Sequence, residues 1–413
     1  MTFRLGRSAR LGRSAEFLVL LMALCACAPQ ARTPIPQEAI AASAPYGIPG
    51  NLRSWGDSLG DQGLAVVREE LTARISATHA EEIASGGRAS ETALALSGGG
   101  ADGAFGAGVL AGWTERGDRP VFDVVSGVST GAIIGLFAFL GPQYDEVLRE
   151  FYTEYSTDDL LEPAPFSALR GGSSISDAAA YSALVDRYID AAVVSALAAE
   201  AERGRILLIG TTNLDAARPV IWNVTSVAQS GHPQAIDLIR DLVRASSAIP
   251  AVFPPVVIPM VAPNGELFDE LHVDGGATQQ VMMFSPELSM RDIDRSLGLD
   301  IDRTLYVIIN NALEKAYDPV DLGVLSIAGK AVSSLIGGSS SGDLYTIFAI
   351  TERDDIDLQI LAVPRSFDLT ATEAFDTTYM RALYDVGREI GRNGGPWLNQ
   401  PLNFTRAADD DSP

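Results

Sequence analysis

Residues 121–140 read VFDVVSGVSTGAIIGLFAFL, and this stretch decides the expected fold. The apolar run at 121–126 predicts a buried strand, and the longer apolar run at 132–140 predicts a helix. A chain that passes from strand to helix through only five residues must turn sharply. The stretch is therefore typical of an α/β protein in which a tight turn joins a core strand to a buried helix.

The five residues of this turn, Gly-Val-Ser-Thr-Gly, have the pattern of a nucleophile elbow. Gly127 and Gly131 lack a side chain where the backbone packs too closely for a Cβ. Ser129 lies at the start of the helix, where free N–H groups and the positive end of the helix dipole face its hydroxyl. The pattern predicts that Ser129 is a nucleophile, although an ordinary tight strand-to-helix turn would read the same way.

The rest of the chain alternates short apolar runs with helical stretches, which is typical of an α/β fold with a mainly parallel sheet. Helical periodicity is clear at 181–202 and 233–247. Beyond the strand already described, six further strands are predicted, at residues 93–97, 205–210, 219–223, 271–274, 305–310 and 357–363.

A second glycine-rich segment, Gly-Gly-Gly-Ala-Asp-Gly at residues 98–103, directly follows the first of these strands. Its spacing satisfies the G-x-G-x-x-G pattern, so a loop that binds a dinucleotide is one interpretation. The next strand, however, leads into the serine turn instead of ending in an acidic ribose ligand. The N–H groups of Gly98, Gly99 and Gly100 are alternatively suited to stabilise the oxyanion of an acyl-transfer intermediate.

A third segment, His-Val-Asp-Gly-Gly at residues 272–276, supplies a candidate base for the serine. Asp274 ends a predicted strand before two glycines, a position that also suits a simple turn cap. His272 lies two residues earlier and therefore on the same side of the strand. The other histidines, His79 and His232, fall in a peripheral helix and beside a proline. The residues alone leave both Asp274 and His272 open as partners of the serine.

Together, the three segments resemble the patatin-like phospholipase family, over about residues 94–402. That family carries a GGGxxG loop, a GxSxG elbow and a later DG[GA] motif in the order found here. The stretch Ala-Ser-Ser-Ala-Ile-Pro at 245–250, followed by Phe-Pro-Pro at 253–255, also looks like the family's segment before the aspartate strand. The resemblance implies a three-layer α/β/α fold with a mainly parallel central sheet.

The resemblance also implies a serine acyl hydrolase that cleaves lipid esters, of phospholipase A, lysophospholipase or esterase type, without a metal or cofactor. Ser129 would be the nucleophile, Asp274 its base, and residues 98–100 the oxyanion hole. Many family members carry Arg or Lys in the loop where this chain has Asp102, so a positive charge is missing from the site. The alternatives are a catalytically silent scaffold and a nucleotide-dependent enzyme that uses the glycine loop.

The first thirty residues have the features of a bacterial lipoprotein signal. Four arginines precede an apolar run at 17–24, which is far shorter than the ~20 residues that span a bilayer. Leu24 and Ala26 stand three residues and one residue before Cys27, as in a lipobox. We therefore expect a signal peptide at 1–26 and a lipid on Cys27, although a soluble secreted protein cleaved nearby would look similar.

By analogy with such lipoproteins, Ala28 after the cysteine favours the outer membrane of a bacterial cell envelope. The chain has 47% hydrophobic residues and a formal net charge of −23, so it lacks the basic surface that binds nucleic acid. We expect a lipid or acyl ester as substrate and the lipid anchor as the contact with the membrane. The predicted division is a signal peptide (1–26), a Pro/Ala-rich tether (27–58), an acyl hydrolase domain (59–403) and an acidic tail (404–413).

Overall fold

The computed structural model describes residues 32–86, 88–163, 174, 176–250, 252–313, 319, 320 and 322–402. The predicted signal peptide, Cys27 and the acidic tail at 404–413 lie outside these residues. Within the described part of the chain, none of the helices has both the length and the apolar character needed to cross a bilayer.

Strands and helices alternate along most of the described chain. The strands are β1 (Ala44–Pro45), β2 (Arg53–Trp55), β3 (Arg88–Leu96), β4 (Val124–Val128), β5 (Glu162–Pro163), β6 (Ser176–Asp177), β7 (Ile206–Asn213), β8 (Arg218–Asn223), β9 (Val256–Val261), β10 (Leu267–Asp274), β11 (Asp300–Ile309) and β12 (Ile356–Ala362). The α-helices are α1 (Gly60–Thr78), α2 (Ala80–Ser85), α3 (Gly103–Arg116), α4 (Thr130–Leu140), α5 (Asp145–Thr153), α6 (Thr157–Leu160), α7 (Ala179–Tyr188), α8 (Ala191–Glu202), α9 (Val224–Gln229), α10 (Ala235–Ser246), α11 (Met290–Leu297), α12 (Val324–Asp354) and α13 (Thr377–Asn393). Each of the seven strands predicted from the sequence overlaps one of these strands.

Five parallel strands form the centre of the sheet, in the order β7-β4-β3-β11-β12. Antiparallel strands extend the sheet from β7. Strand β8 pairs with one edge of β7, and β10 pairs with the opposite edge. Strands β9 and β1 continue outward from β10, and β2 pairs with β8. The mainly parallel central sheet is confirmed, and the antiparallel extension is an addition that the sequence pattern did not indicate.

Strands β4 and β10 meet end to end on one edge of β7. Val128 at the end of β4 lies opposite Gly210, and Asp274 at the end of β10 lies opposite the next residue, Thr211. Both strands share this edge because β8 occupies the other one. The antiparallel direction of β10 therefore brings Asp274 to Ser129, the residue that follows β4.

Helices cover both faces of the sheet. The face that carries Leu94 and Leu96 of β3 packs against α3, α4 and α13 in a large apolar cluster. The opposite face, with Ala93 and Ala95, packs against Leu344 and neighbouring apolar residues of α12. Because both faces are buried, β3 is apolar over its second half without polar alternation. The three-layer α/β/α fold predicted from the sequence is confirmed.

Helices α3 and α13 approach so closely that glycine is required at their contact. A Cβ on Gly108 of α3 would lie 2.1 Å from the carbonyl oxygen of Tyr384, and one on Gly387 of α13 would lie 2.3 Å from that of Phe105. Helix α3 begins directly after the glycine-rich loop, so this contact fixes the position of the loop's far end.

The segment 32–58 packs on the sheet and differs from the extended tether that the sequence predicted. Strand β1 pairs with β9, and β2 pairs with β8. Ile48 and Leu52 are buried in the main apolar cluster. The prolines of this segment are compatible with edge strands, which is why its composition resembles that of a linker.

The predicted helix at 181–202 is two helices, α7 and α8. The chain leaves helical geometry at Ile189, and the carboxylate of Asp190 accepts the N–H of Val193 at 2.9 Å as the N-cap of α8. An Asp within a helical pattern can be the N-cap of a new helix. Here apolar residues on both sides of the Asp continue the helical pattern, so the sequence does not show the break.

Replacement of Gly387 by Ala tests the α3–α13 contact. Gly387→Ala is expected to lower the free energy of unfolding by about 1–3 kcal/mol or more, because the Cβ forces the two backbones apart. Gly342 in α12 has nothing within 4 Å of a Cβ position. Gly342→Ala, the matched control, is expected to raise the free energy by up to ~1 kcal/mol. Urea unfolding measures both, and equal effects would contradict the described contact.

Candidate active site

Ser129 lies in a strained turn between β4 and α4. Its backbone angles are φ 56° and ψ −125°, which a residue with a side chain rarely adopts. A Cβ on Gly127 would lie 2.1 Å from the carbonyl oxygen of Gly131, and one on Gly131 would lie 2.4 Å from that of Leu96. Glycine is therefore required on both sides of the serine, as the elbow pattern predicted.

The strained backbone is held by Ser246, at the end of α10. The N–H of Ser129 donates to Ser246 Oγ at 2.8 Å, and Ser246 Oγ donates to the carbonyl oxygen of Gly210 at 2.6 Å. This chain of two hydrogen bonds ties the elbow to β7. The sequence around Ser246 resembles the family, but it does not indicate a role for this side chain.

Ser129 and Asp274 form a direct hydrogen bond. Ser129 Oγ donates to Asp274 Oδ2 at 2.6 Å, and the N–H of Gly276 donates to Asp274 Oδ1 at 2.7 Å. Both residues are only 5% exposed. Burial raises the pKa of Asp274 to about 7, although the hydrogen bonds from Ser129 and Gly276 act in the opposite direction. A carboxylate with this pKa is a far better base than an exposed one.

His272 lies close in sequence but makes no hydrogen bond to the serine. Its Nδ1 pairs with Thr211 Oγ1 at 3.0 Å, and its Nε2 pairs with Glu270 Oε2 at 3.1 Å. The ring is fully buried, and burial lowers its pKa. His79 pairs instead with Glu91, and His232 accepts the N–H of Gln234. Of the two partners that the sequence left open, the structure brings Asp274 to Ser129.

The glycine-rich loop passes directly beside the serine. A Cβ on Gly98 would lie 3.3 Å from the Ser129 Cβ. The N–H of Gly98 donates to the carbonyl oxygen of Gln280 at 3.0 Å, so the prediction that Gly98 is an oxyanion donor does not fit the structure. The N–H groups of Gly99 and Gly100 donate to no acceptor among the described residues, and these two remain candidate donors.

Asn310, at the end of β11, fixes the loop from the other side. Its Nδ2 donates to the carbonyl oxygen of Ser97 at 2.9 Å, and its Oδ1 accepts the N–H of Gly106 at 3.1 Å. A Cβ on Gly99 would lie 2.3 Å from the carbonyl oxygen of Asn310. No short motif marks this asparagine, so its role could not be predicted from the sequence.

The start of α4 adds a further electrostatic contribution at the serine. The first N–H groups of a helix have no intrahelical partner, and the N-cap Ser129 offers no side-chain cap here. These groups and the helix dipole favour negative charge near the serine. The elbow pattern predicted this arrangement.

Asp102 lies in the glycine-rich loop just before α3, and no cation pairs with it among the described residues. Its Oδ1 accepts the hydroxyl of Tyr379 of α13 at 2.6 Å. Burial raises the pKa of Asp102 to about 6, against the effect of this hydrogen bond. The described residues also contain no group of His, Cys, Asp and Glu side chains arranged to hold a metal ion.

The fold and the site define an α/β protein with a nucleophile elbow, a carboxylate partner and a glycine-rich loop. Residues 94–283 match the family described as patatin-like phospholipase. This part of the chain is a patatin-like phospholipase domain, which belongs to a family of lipid acyl hydrolases.

The chain is similar to the crystal structure of VipD from Legionella pneumophila, with 11% sequence identity and a TM-score of 0.34 over 73% of this chain and 68% of that one. No curated protein matches the chain in sequence.

Asp274→Asn tests the pKa of the buried carboxyl through protein stability. In the unfolded chain the carboxyl titrates near 3.8, and in the folded protein near 7. Between these values only the folded state holds the proton, so the free energy of unfolding of the wild type falls as pH rises, by on the order of 4 kcal/mol in total. The asparagine side chain does not titrate in this range, so the free energy of unfolding of Asp274→Asn lacks this pH dependence.

We expect Asp274→Asn to gain stability relative to the wild type between about pH 4 and pH 7, and to keep that gain at higher pH. Urea unfolding over this range measures it. The side chain of Asp302 on β11 is 66% exposed, so Asp302→Asn serves as the control. It is expected to alter stability by less than ~0.5 kcal/mol. A difference between Asp274→Asn and the wild type that stays constant with pH would contradict the assignment.

Proposed function

We propose that the protein hydrolyses acyl esters of lipids through Ser129 as nucleophile and Asp274 as base. One observation carries the proposal: the 2.6 Å hydrogen bond between Ser129 Oγ and Asp274 Oδ2 in a buried elbow of a lipid acyl hydrolase domain. The geometry meets the requirement that a nucleophile and its base lie within hydrogen-bond reach.

In the first half of the reaction, Ser129 Oγ attacks the ester carbonyl carbon while Asp274 accepts its proton. The resulting oxyanion is stabilised by the N–H groups of Gly99 and Gly100 and by the start of α4. When the intermediate collapses, the bond between the carbonyl carbon and the alcohol oxygen breaks. Asp274 gives its proton to the leaving alcohol, and the acyl group stays on Ser129.

In the second half, water attacks the acyl carbon and gives a proton to Asp274. The bond to Ser129 Oγ then breaks, Asp274 returns the proton to the serine, and the free acid leaves. Burial supports both halves, because a carboxyl with a pKa of about 7 exchanges protons near neutral pH. No histidine takes part in this scheme.

A nucleotide-binding role for the glycine loop is less favoured. The phosphates of a dinucleotide would lie at the start of α3, where Asp102 is the N-cap residue. An ionised carboxyl there repels phosphate. The N–H of Gly98 is also already bound to Gln280, which leaves fewer donors for an anion of this size.

Ester hydrolysis by substituted proteins tests the proposed dyad. With p-nitrophenyl acyl esters and a chelator present, the wild type is expected to release p-nitrophenol, and Ser129→Ala and Asp274→Asn to lose about 10³-fold or more of kcat. His272→Gln, the control, is expected to stay within ~10-fold of the wild type per folded molecule, since His272 contacts neither partner.

The opposite result, with turnover retained in Asp274→Asn and lost in folded His272→Gln, would indicate that His272 and not Asp274 is the base. Chelator-resistant activity would make phospholipids and lysophospholipids the next substrates to compare. An inactive wild type on both simple esters and lipids would favour the catalytically silent scaffold.

Membrane attachment through Cys27 is the second part of the proposal. Its support is the lipobox formed by Leu24, Ala26 and Cys27. The described chain begins at Arg32, whose guanidinium donates to Asp215 and Asp269 at 2.7 Å each. Five residues span at most ~17 Å, so a lipid on Cys27 would hold the β9–β10 edge close to the bilayer.

The surface around Arg32 is suited to such an orientation. Leu267 is 69% exposed two residues before Asp269, Leu214 is 48% exposed beside Asp215, and Val257 is 43% exposed on the neighbouring strand. Exposed apolar side chains gain free energy when they leave water for lipid. The overall negative charge makes an apolar contact more favourable here than an electrostatic one.

Cys27→Ser tests the anchor when the full-length chain is expressed in a Gram-negative host. We expect the wild type in the membrane fraction with a diacylglycerol-modified Cys27 as its first residue, and Cys27→Ser in the soluble fraction. Cys25→Ser is the matched control and is expected to behave as the wild type. An unmodified mature N-terminus in mass spectrometry would disprove the anchor.

A further inference from the structure

Gln280 joins the segments of the site and is only 3% exposed. Its backbone carbonyl accepts the N–H of Gly98, and its own N–H donates to Asp343 Oδ2 of α12 at 2.6 Å. Its side-chain Nε2 donates to the carbonyl oxygen of Gly276 at 3.1 Å. One residue therefore contacts the glycine loop, the turn after the candidate base and the helix on the far side.

The side-chain amide of Gln280 lies beside the hydrogen-bonded pair of Ser129 and Asp274. On one side, a Cβ position on Gly276 would lie 2.1 Å from Gln280 Nε2 and 3.0 Å from Asp274 Oδ1. On the other, a Cβ position on Gly98 would lie 2.7 Å from Gln280 Oε1 and 3.3 Å from the Ser129 Cβ. Glycine at 98 thus keeps a side chain out of the space between Gln280 Oε1 and the serine.

Gln280 Oε1 is buried and has no hydrogen-bond donor among the described residues. The orientation of the amide follows from its other end, because only Nε2 can donate to the carbonyl oxygen of Gly276. The N–H of Gly98 cannot serve Oε1, since it donates to the backbone of the same glutamine. A buried acceptor without a partner destabilises the folded protein, so such a group in a native protein calls for an explanation.

We propose that Gln280 Oε1 orients the water that hydrolyses the acyl-enzyme, an inference that rests on the proposed function. One hydrogen of this water is directed to Asp274 and the other to Gln280 Oε1, so a lone pair of its oxygen faces the acyl carbon on Ser129. Gln280 undergoes no bond change. The water oxygen forms the new bond to carbon, its first proton passes through Asp274 to Ser129 Oγ, and the ester bond to the serine breaks.

The step that forms the acyl-enzyme needs no water. Loss of the Gln280 amide is therefore expected to slow deacylation and to leave acylation nearly unchanged. A purely structural role, in which Gln280 holds the glycine loop, would slow both steps together, because the oxyanion donors serve both steps.

The neighbouring Gln279 offers a matched control. Its Oε1 is also buried without a partner among the described residues. It points elsewhere, because a Cβ position on Gly56 would lie 3.1 Å from it. Gln279→Met and Gln280→Met thus remove the same chemical group one residue apart, with an unbranched side chain of similar length in its place.

Rapid-quench kinetics with p-nitrophenyl butyrate, combined with intact-protein mass spectrometry, separates the two steps. Gln280→Met is expected to release the first p-nitrophenol at close to the wild-type rate, to accumulate a butyryl group on Ser129, and to lose about 10- to 100-fold in steady-state turnover. Added hydroxylamine is expected to restore its turnover more than that of the wild type. Gln279→Met is expected to behave as the wild type.

The inference is overturned if folded Gln280→Met accumulates no acyl-enzyme, or if its acylation and its steady-state turnover fall by the same factor. If Gln280→Met does not fold, Gln280→Asn, which withdraws the amide by one methylene, is judged by the same two criteria. A wild type that neither releases p-nitrophenol nor becomes acylated at Ser129 would instead refute the proposed function, and the inference with it.

Discussion

The site depends on the meeting of two strand ends along one edge of β7. Val128 of β4 and Asp274 of β10 pair with adjacent residues, Gly210 and Thr211. A Cβ on Gly275 would lie 2.5 Å from the carbonyl oxygen of Gly210, so only glycine fits in the turn that follows Asp274. A parallel strand in place of β10 would carry its last residue in the same direction as β4, and the two ends could not face each other.

This meeting buries a carboxyl group that has two hydrogen-bond donors among the described residues, Ser129 Oγ and the N–H of Gly276. The arrangement costs stability twice, through the desolvated Asp274 and through the positive φ of Ser129. The rest of the fold offsets both losses of stability, since Ser246 holds the elbow and several helices, among them α3, α4 and α13, pack on this face of the sheet. Local features that reduce stability are typical of sites that carry function.

The sequence predicted the parts of the fold and site whose residues are restricted by backbone geometry. Gly127 and Gly131 are required by close approach, and the strand-turn-helix order around Ser129 follows from two apolar runs. Long-range pairing could not be predicted. The hydrogen bond between His272 Nδ1 and Thr211 and the use of the Gly98 N–H by Gln280 depend on residues far away in sequence. Local composition indicated an extended tether at 27–58, whose described part packs on the sheet, because proline is common both in linkers and in edge strands.

Labelling with a fluorophosphonate tests most directly whether the buried carboxyl activates the serine. The reagent phosphonylates a nucleophilic serine and releases fluoride, and its rate depends on the base. We predict that the label maps to Ser129, that the labelling rate rises with pH to half its maximum near pH 7, and that Asp274→Asn is labelled far more slowly. Labelling at another residue, or an unchanged rate at Ser129 in Asp274→Asn, would contradict the role of this dyad.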